Sequence, residues 1–304
     1  MNKSIIMAVL IVISVLGLFC GGSGEKGSDG ATSAYLGMKP PGTTPVIFAP
    51  GIVSTDENEL NATITIDGSE FYFTRRMKDR KFHIMVTRRS ADGAWSVPEI
   101  APFSGTFSEA DPFISPDGKK MYYISRRPVD GYGPPHDIFI MDRTEDGWSE
   151  PFHPGYPLNT PTNEIYPSVT SDGTVYYVAE LYGGVGRRDV YRCRYDGEKY
   201  LNSELIPEPV SSEYNEGDPY IAPDESYLIF VSVDRPGGFG SGDLYISFRN
   251  KYGEWSEPKN LGDTINSKGY DYTPVVTHDG KYFFFTKNGD VYWVSALILE
   301  EYRD

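Results

Sequence analysis

The sequence predicts an all-β fold, a five-bladed β-propeller of four-stranded antiparallel blades, and three observations carry that prediction. An Asp-Gly-type turn between apolar runs recurs five times, an acid stands at a fixed distance before each turn, and a Trp-Ser-x-Pro segment follows three of the turns. The turn aspartates Asp67, Asp117, Asp172, Asp224 and Asp279 are 50, 55, 52 and 55 residues apart, close to the roughly 40–50 residues of propeller blades. A lone four-stranded sheet cannot bury both faces, so such copies must stack against one another.

Composition supports short strands and turns. Of 304 residues, 39% are hydrophobic and 14% aromatic, with 32 Gly, 23 Pro and 23 Tyr, a mixture that favours strands broken by turns over helices. The 43 acidic residues against 28 basic give a net charge of −15. That sign opposes nucleic-acid phosphates and anionic lipid surfaces, so neither is an expected electrostatic partner. Cys20 and Cys193 cannot make a disulfide framework, and His83, His136, His153 and His278 are too scattered for common zinc motifs. No metal or cofactor is expected.

In chain order, Met1–Lys3 is positively charged and Ile5–Phe19 is apolar. This run is shorter than the roughly 20 residues of a membrane-spanning helix and fits a signal peptide over residues 1–19. Cys20, followed by Gly21-Gly22-Ser23-Gly24, resembles the lipid-attachment site of bacterial lipoproteins, and residues 20–44 read as a flexible tether. Ordinary secretion to the periplasm is the alternative. Residues 45–304 form the predicted propeller.

Within it, an acid precedes each turn aspartate by eight residues: Glu59, Glu109, Glu164, Glu216 and Asp271. Pro112, Pro167, Pro219 and Pro274 follow three residues after the acid, with Ala62 in the first copy. Aromatic pairs such as Tyr122/Tyr123 fill the second strand, a third strand follows, and the Trp-Ser-x-Pro segment at Trp95, Trp148 and Trp255 is assigned the fourth. Tyr200 takes the Trp position in the third copy. The last copy has no such segment, so Pro45–Val53 is expected to supply its missing strand and close the ring. Six blades would need a copy that the sequence does not show.

The blocks Glu109-Ala110-Asp111-Pro112-Phe113-Ile114-Ser115-Pro116-Asp117-Gly118-Lys119 and Arg235-Pro236-Gly237-Gly238-Phe239-Gly240-Ser241-Gly242-Asp243-Leu244-Tyr245 resemble the TolB-type, WD-like propeller repeat of bacterial envelope proteins. The resemblance covers roughly residues 46–296. It implies an envelope location, and such repeats occur in binding partners, lipoproteins, peptidase propeller domains and some carbohydrate-active enzymes.

The start of the first strand and the loop between the second and third share one face. That face gathers Glu109, Glu164, Glu216 and Asp271, with Arg126, Tyr182, Arg188, Arg235 and Phe239 on its loops, as candidate ligand or partner residues. Repeated acids also have a stacking role open to them, bound to backbone amides or to a neighbouring Arg. The reading is a monomeric, lipid-anchored scaffold, not an enzyme, that binds an envelope protein, a peptidoglycan fragment or a glycan. The runner-up is a glycoside hydrolase or lyase using pairs such as Glu109/Asp111 and Glu216/Asp218; a structural assembly subunit is the third. No GxSxG nucleophile elbow occurs.

Overall fold

The computed structural model describes residues 35–129, 135–181 and 183–303. The predicted signal peptide, Cys20, residues up to 34 of the predicted tether, and Tyr182 lie outside the described residues.

Among the described residues the strands form five four-stranded antiparallel sheets. The first strand, β1 (Val46–Ile47), belongs to the last sheet. Blade I is β2 (Asn58–Ile64), β3 (Glu70–Arg76), β4 (Phe82–Arg88) and β5 (Glu99–Ile100). Blade II is β6 (Glu109–Ile114), β7 (Lys120–Ser125), β8 (Asp137–Thr144) and β9 (Gly147–Trp148). Blade III is β10 (Glu164–Val169), β11 (Val175–Ala179), β12 (Asp189–Cys193) and β13 (Glu204–Leu205). Blade IV is β14 (Asn215–Ile221), β15 (Tyr227–Val233), β16 (Gly242–Phe248) and β17 (Lys259–Asn260). Blade V is β18 (Asp271–Val276), β19 (Tyr282–Lys287), β20 (Asp290–Ser295) and, completing it, β1. The inner strands β2, β6, β10, β14 and β18 touch in order, and β18 touches β2, so the blades form a closed ring.

Ring closure follows the expected route. Val46 pairs with Trp293 and Ile47 with Tyr292. The Phe48 N–H then donates to Val291 O at 2.7 Å, and the Ser54 hydroxyl accepts from Val291 N–H at 3.1 Å. Phe48 is fully buried among Phe71, Phe284 and Trp293, with ring centroids 4.9–5.2 Å apart. Packing starts before β1: Tyr35, in the stretch read as tether, sits edge-on to Tyr282 at 4.9 Å.

Each Asp-Gly turn is held by its own side chains. The hydroxyls of Thr65, Ser115 and Thr277 donate to Asp67, Asp117 and Asp279 at 2.6–2.7 Å, a local bond that competes well with continued strand. The following residue must take a positive φ, as Gly68 does at 67°. In the fourth copy, where the turn glycine is absent, Glu225 takes that conformation at φ 57°. Its carboxylate pairs with Arg249.

The fourth strands require a correction. Trp95 and Trp255 make only isolated bridges, to Arg89 and Arg249, and the ladder strands β5 and β17 begin just past Pro98 and Pro258. A proline has no N–H for the ladder, so pairing resumes beyond it. Only blade II keeps its Trp, Trp148, inside the outer strand. Among the described residues, helix is confined to one short turn, α1 (Gly262–Ile265), and a 3₁₀ segment, Ala296–Tyr302.

Candidate functional site

The inner strands place one residue per blade at the ring's centre. Two positions after each acid, Asn61, Asp111, Tyr166, Asp218 and Thr273 have φ of 51°, 55°, 58°, 47° and 54°. At this point every inner strand slips register against its partner, which is the mark of a β-bulge. Asn and Asp tolerate the left-handed conformation, whereas a bulky Tyr and a β-branched Thr in it are strained. The five positions are linked across blades: Asn61 N–H donates to the Thr273 hydroxyl and Thr273 N–H to Asp218, each at 3.3 Å. Asp111 N–H donates to the Thr74 hydroxyl at 3.1 Å.

Two of the five are carboxylic acids in electrostatic contact. Asp111 is buried, and that burial, joined by the Asp218 charge, pushes its carboxyl up to about 8. Asp218 is raised to about 6 by burial, opposed by the Thr273 amide and the Arg188 charge. The two sit differently. Asp218 lines an open cavity of about 330 Å³ with Arg187, Arg188, Asn215 and Tyr270, whereas Asp111 does not line it. On the opposite side of the five, Phe113, Tyr220, Val275 and Phe284 surround a void of only about 20 Å³, room for about one water. The cavity beside Asp218 is thus a funnel bordered by blades III and IV and by Tyr270, with apolar side chains packed on the other side of the five.

The predicted acids are buried, and of the five Glu216 alone borders the cavity. Glu59, Glu109, Glu164, Glu216 and Asp271 are all at most 1% exposed. Each accepts from groups four or five residues earlier: Thr55 N–H and hydroxyl to Glu59, the Ser104 hydroxyl and Gly105 N–H to Glu109, Thr160 to Glu164, Ser212 to Glu216 and Ser267 to Asp271. Each acid pins the segment that enters its inner strand. Glu59 also holds Arg75 at 2.7 Å. Burial raises Glu164 and Glu216 to about 7, against the hydrogen bonds that favour their charged forms.

The loop residues divide. Arg188 stands at the cavity mouth, paired with Glu180 at 3.0 Å. Arg126 is exposed on the connection after β7. Arg235 lies over the Tyr245 ring, 5.4 Å from its centre. Phe239 is 45% exposed, with its backbone N–H held by Asp243 at 2.6 Å. The Gly-rich loops that carry these residues lean on the next blade. A side chain at Gly186 would lie 2.1 Å from Tyr214 O, and one at Gly240 2.2 Å from Gly269 O. Their glycines thus serve blade-to-blade contact. Among the described residues no three His, Cys, Asp or Glu side chains come together to hold a metal.

Sequence reasoning weighed Asp111 and Asp218 only as partners of Glu109 and Glu216. The structure couples them to each other. Asn61, Tyr166 and Thr273 were missed. The available signal was variation: the residue two after the acid is Asn, Asp, Tyr, Asp and Thr in successive copies of an otherwise repeated motif.

The fold and this centre define a five-bladed β-propeller with a carboxylate-bearing funnel. No family model matches the sequence, and no curated protein matches it. Among solved structures, a glycoside hydrolase is 12% identical over 89% of this chain and 96% of its own, with a TM-score of 0.55. TolB from Acinetobacter baumannii is 15% identical over 80% of this chain, TM-score 0.49, and this chain spans 55% of it. An alpha-L-arabinofuranosidase from Lactobacillus brevis is 13% identical over 74% of this chain and 81% of its own, TM-score 0.47. At such identity the likeness is one of fold.

Proposed function

We propose that this protein is a non-enzymatic binding propeller of the bacterial envelope, held to a membrane by lipid on Cys20, whose funnel receives part of a partner protein, peptidoglycan fragment or glycan. The observation that carries the binding reading is the asymmetry of the central acids. Asp218 faces the cavity beside Arg188, and Asp111 is sealed beneath it. One reachable carboxylate next to a guanidinium suits a ligand group that both donates and accepts hydrogen bonds. Glycoside hydrolysis ordinarily needs two carboxyl groups flanking the scissile bond; Glu216 also borders the cavity, but its carboxylate is engaged by the Ser212 N–H and hydroxyl in the entry segment. The apolar run before Cys20 supports export, and acyl chains would supply the membrane affinity that a −15 chain lacks.

Two measurements test this. Titration of muropeptides and short glycans into the purified protein is expected to give binding that Asp218→Asn or Arg188→Ala weakens about tenfold or more. Glycan turnover abolished by Asp218→Asn would replace the binding reading with the enzymatic one. Separately, Cys20→Ser is expected to move the protein from the membrane to the soluble fraction on cell fractionation; unchanged membrane association would refute lipidation.

A further inference from the structure

At four of the five seams between blades an aromatic ring or a 3₁₀ segment packs across the outer side, with smaller cavities of about 340 and 260 Å³ left at the I–II and V–I seams. Between blades I and II, Trp148 lies against Tyr72, its indole N–H donating to the phenol oxygen at 2.9 Å. Between III and IV, Trp255 packs into the cluster that holds Tyr176, and Glu225 ties the Tyr176 hydroxyl to Arg249. Between V and I, Trp95 packs against the cluster containing Phe284, beside Tyr35. Between IV and V, the 3₁₀ segment Ala296–Tyr302 caps the seam, and Tyr302 donates its hydroxyl to Leu261 O at 2.6 Å.

The seam between II and III is different. Tyr200 stands where three of the other copies have Trp, and its hydroxyl meets that of Tyr122 at 3.3 Å. A phenol is smaller than an indole, and the seam is left as a groove of about 530 Å³, within the roughly 300–1,000 Å³ of small-ligand sites. Its lips carry exposed rings: Phe152 at 63% and Tyr156 at 70%. The Phe152 backbone is fixed by reciprocal hydrogen bonds to Ile140 at 2.8 and 2.9 Å, so that ring is held on a rigid base. Inside, Tyr195 and Tyr200 stand with centroids 5.2 Å apart.

We propose that this groove is a carbohydrate-binding site for a neutral oligosaccharide, separate from the central funnel. The chemistry selects the ligand. Exposed aromatic faces distributed along a concave surface match the apolar C–H faces of successive sugar rings. The rim adds Asp117, Asp142, Asp172 and Glu198 against Lys120 and Lys199. Carboxylates accept from hydroxyl groups, and the lysines donate to them. Four carboxylates against two ammonium groups disfavour an anionic glycan, and a wholly apolar ligand would desolvate the charged rim without compensation.

The test uses the full-length protein on an array of short neutral oligosaccharides, followed by calorimetry with the best binder. Phe152→Ala and Tyr156→Ala are each expected to weaken binding about tenfold or more, while Val97→Ala, at an 86% exposed position outside both groove and funnel, leaves it unchanged. Tyr200→Trp, which restores the residue used at three of the other seams, is expected to abolish binding without loss of thermal stability. Absence of any neutral-glycan binding overturns the site. So does binding that survives the double Phe152→Ala, Tyr156→Ala change or is lost only with Asp218→Asn, and so does a preference of the groove for proline-rich peptides. Because funnel and groove variants are read separately, failure here leaves the funnel reading standing.

Discussion

Phe48→Ala is expected to lower the unfolding free energy by about 3–5 kcal/mol, the cost of removing a fully buried Phe from a close-packed core. The position makes the larger figure reasonable. Phe48 has no exposed surface and contacts rings of two blades, Phe71 of blade I and Phe284 and Trp293 of blade V. Its strand, β1, contributes only two ladder residues. Side-chain packing therefore carries most of the closure, supported by the Ser54 hydroxyl bridging to Val291. A ring opened here would present two sheet edges, which are prone to pair with other chains. Urea unfolding should show the midpoint fall in Phe48→Ala, with Val97→Ala, at an 86% exposed position, within about 0.5 kcal/mol of wild type. An unchanged midpoint for Phe48→Ala would mean that the ring is not clasped through this segment.

Much of this architecture was legible because a repeat multiplies weak signals. One Asp-Gly between apolar runs is a modest hairpin indication, but five in register, each with an acid eight residues earlier, fix the inner strand, the turn and the blade count together. The closing strand was legible by subtraction, since the last copy lacked a partner for Asp290–Ser295 and the first was preceded by an unassigned run. The fourth strands were placed a few residues early because Trp95 and Trp255 dominate their segments visually, while Pro98 and Pro258 delay the ladder.

The site was less legible for a physical reason. The repeated acids drew attention as a ring of charge, yet what repeats in every blade does the same structural work in every blade: Glu109, Glu164, Glu216 and Asp271 each cap their own entry segment. Function that breaks the symmetry must lie at positions that vary. Asn61, Asp111, Tyr166, Asp218 and Thr273 are such positions, but their convergence depends on a bulge that periodicity does not announce. The groove at Tyr200 has the same origin. The substitution of Tyr for Trp was visible in the sequence, whereas the space it leaves is a property of two blades packed together.

Asp111→Asn is expected to stabilise the protein at pH 8 by about 2–4 kcal/mol and to flatten its pH dependence. The Asp111 carboxyl is held at about 8 in the fold, against 3.8 as the ordinary value. A group whose folded value is raised binds more protons folded than unfolded. Its favourable contribution is complete below about pH 4 and is lost progressively as the pH rises towards and through 8. Asp218, at about 6, and Glu164 and Glu216, at about 7, slope the same way, so wild-type stability should decline from pH 5 to pH 8. Each unit of displacement corresponds to about 1.4 kcal/mol, and relaxation around the charged form brings the full displacement down to the smaller figure. Asn keeps the shape of Asp and can still accept the hydrogen bonds that the Asp111 carboxyl takes from Asn61 and the Tyr166 amide. It also removes the charge that Asp218 opposes. Denaturant melts at pH 5 and pH 8 should therefore show a small difference between the proteins at the lower pH and a clear gain for the variant at the higher. If both proteins lost stability equally across that interval, Asp111 would not be the buried proton acceptor at the ring's centre, and the slope would have to arise from Glu164 and Glu216 in the entry segments instead.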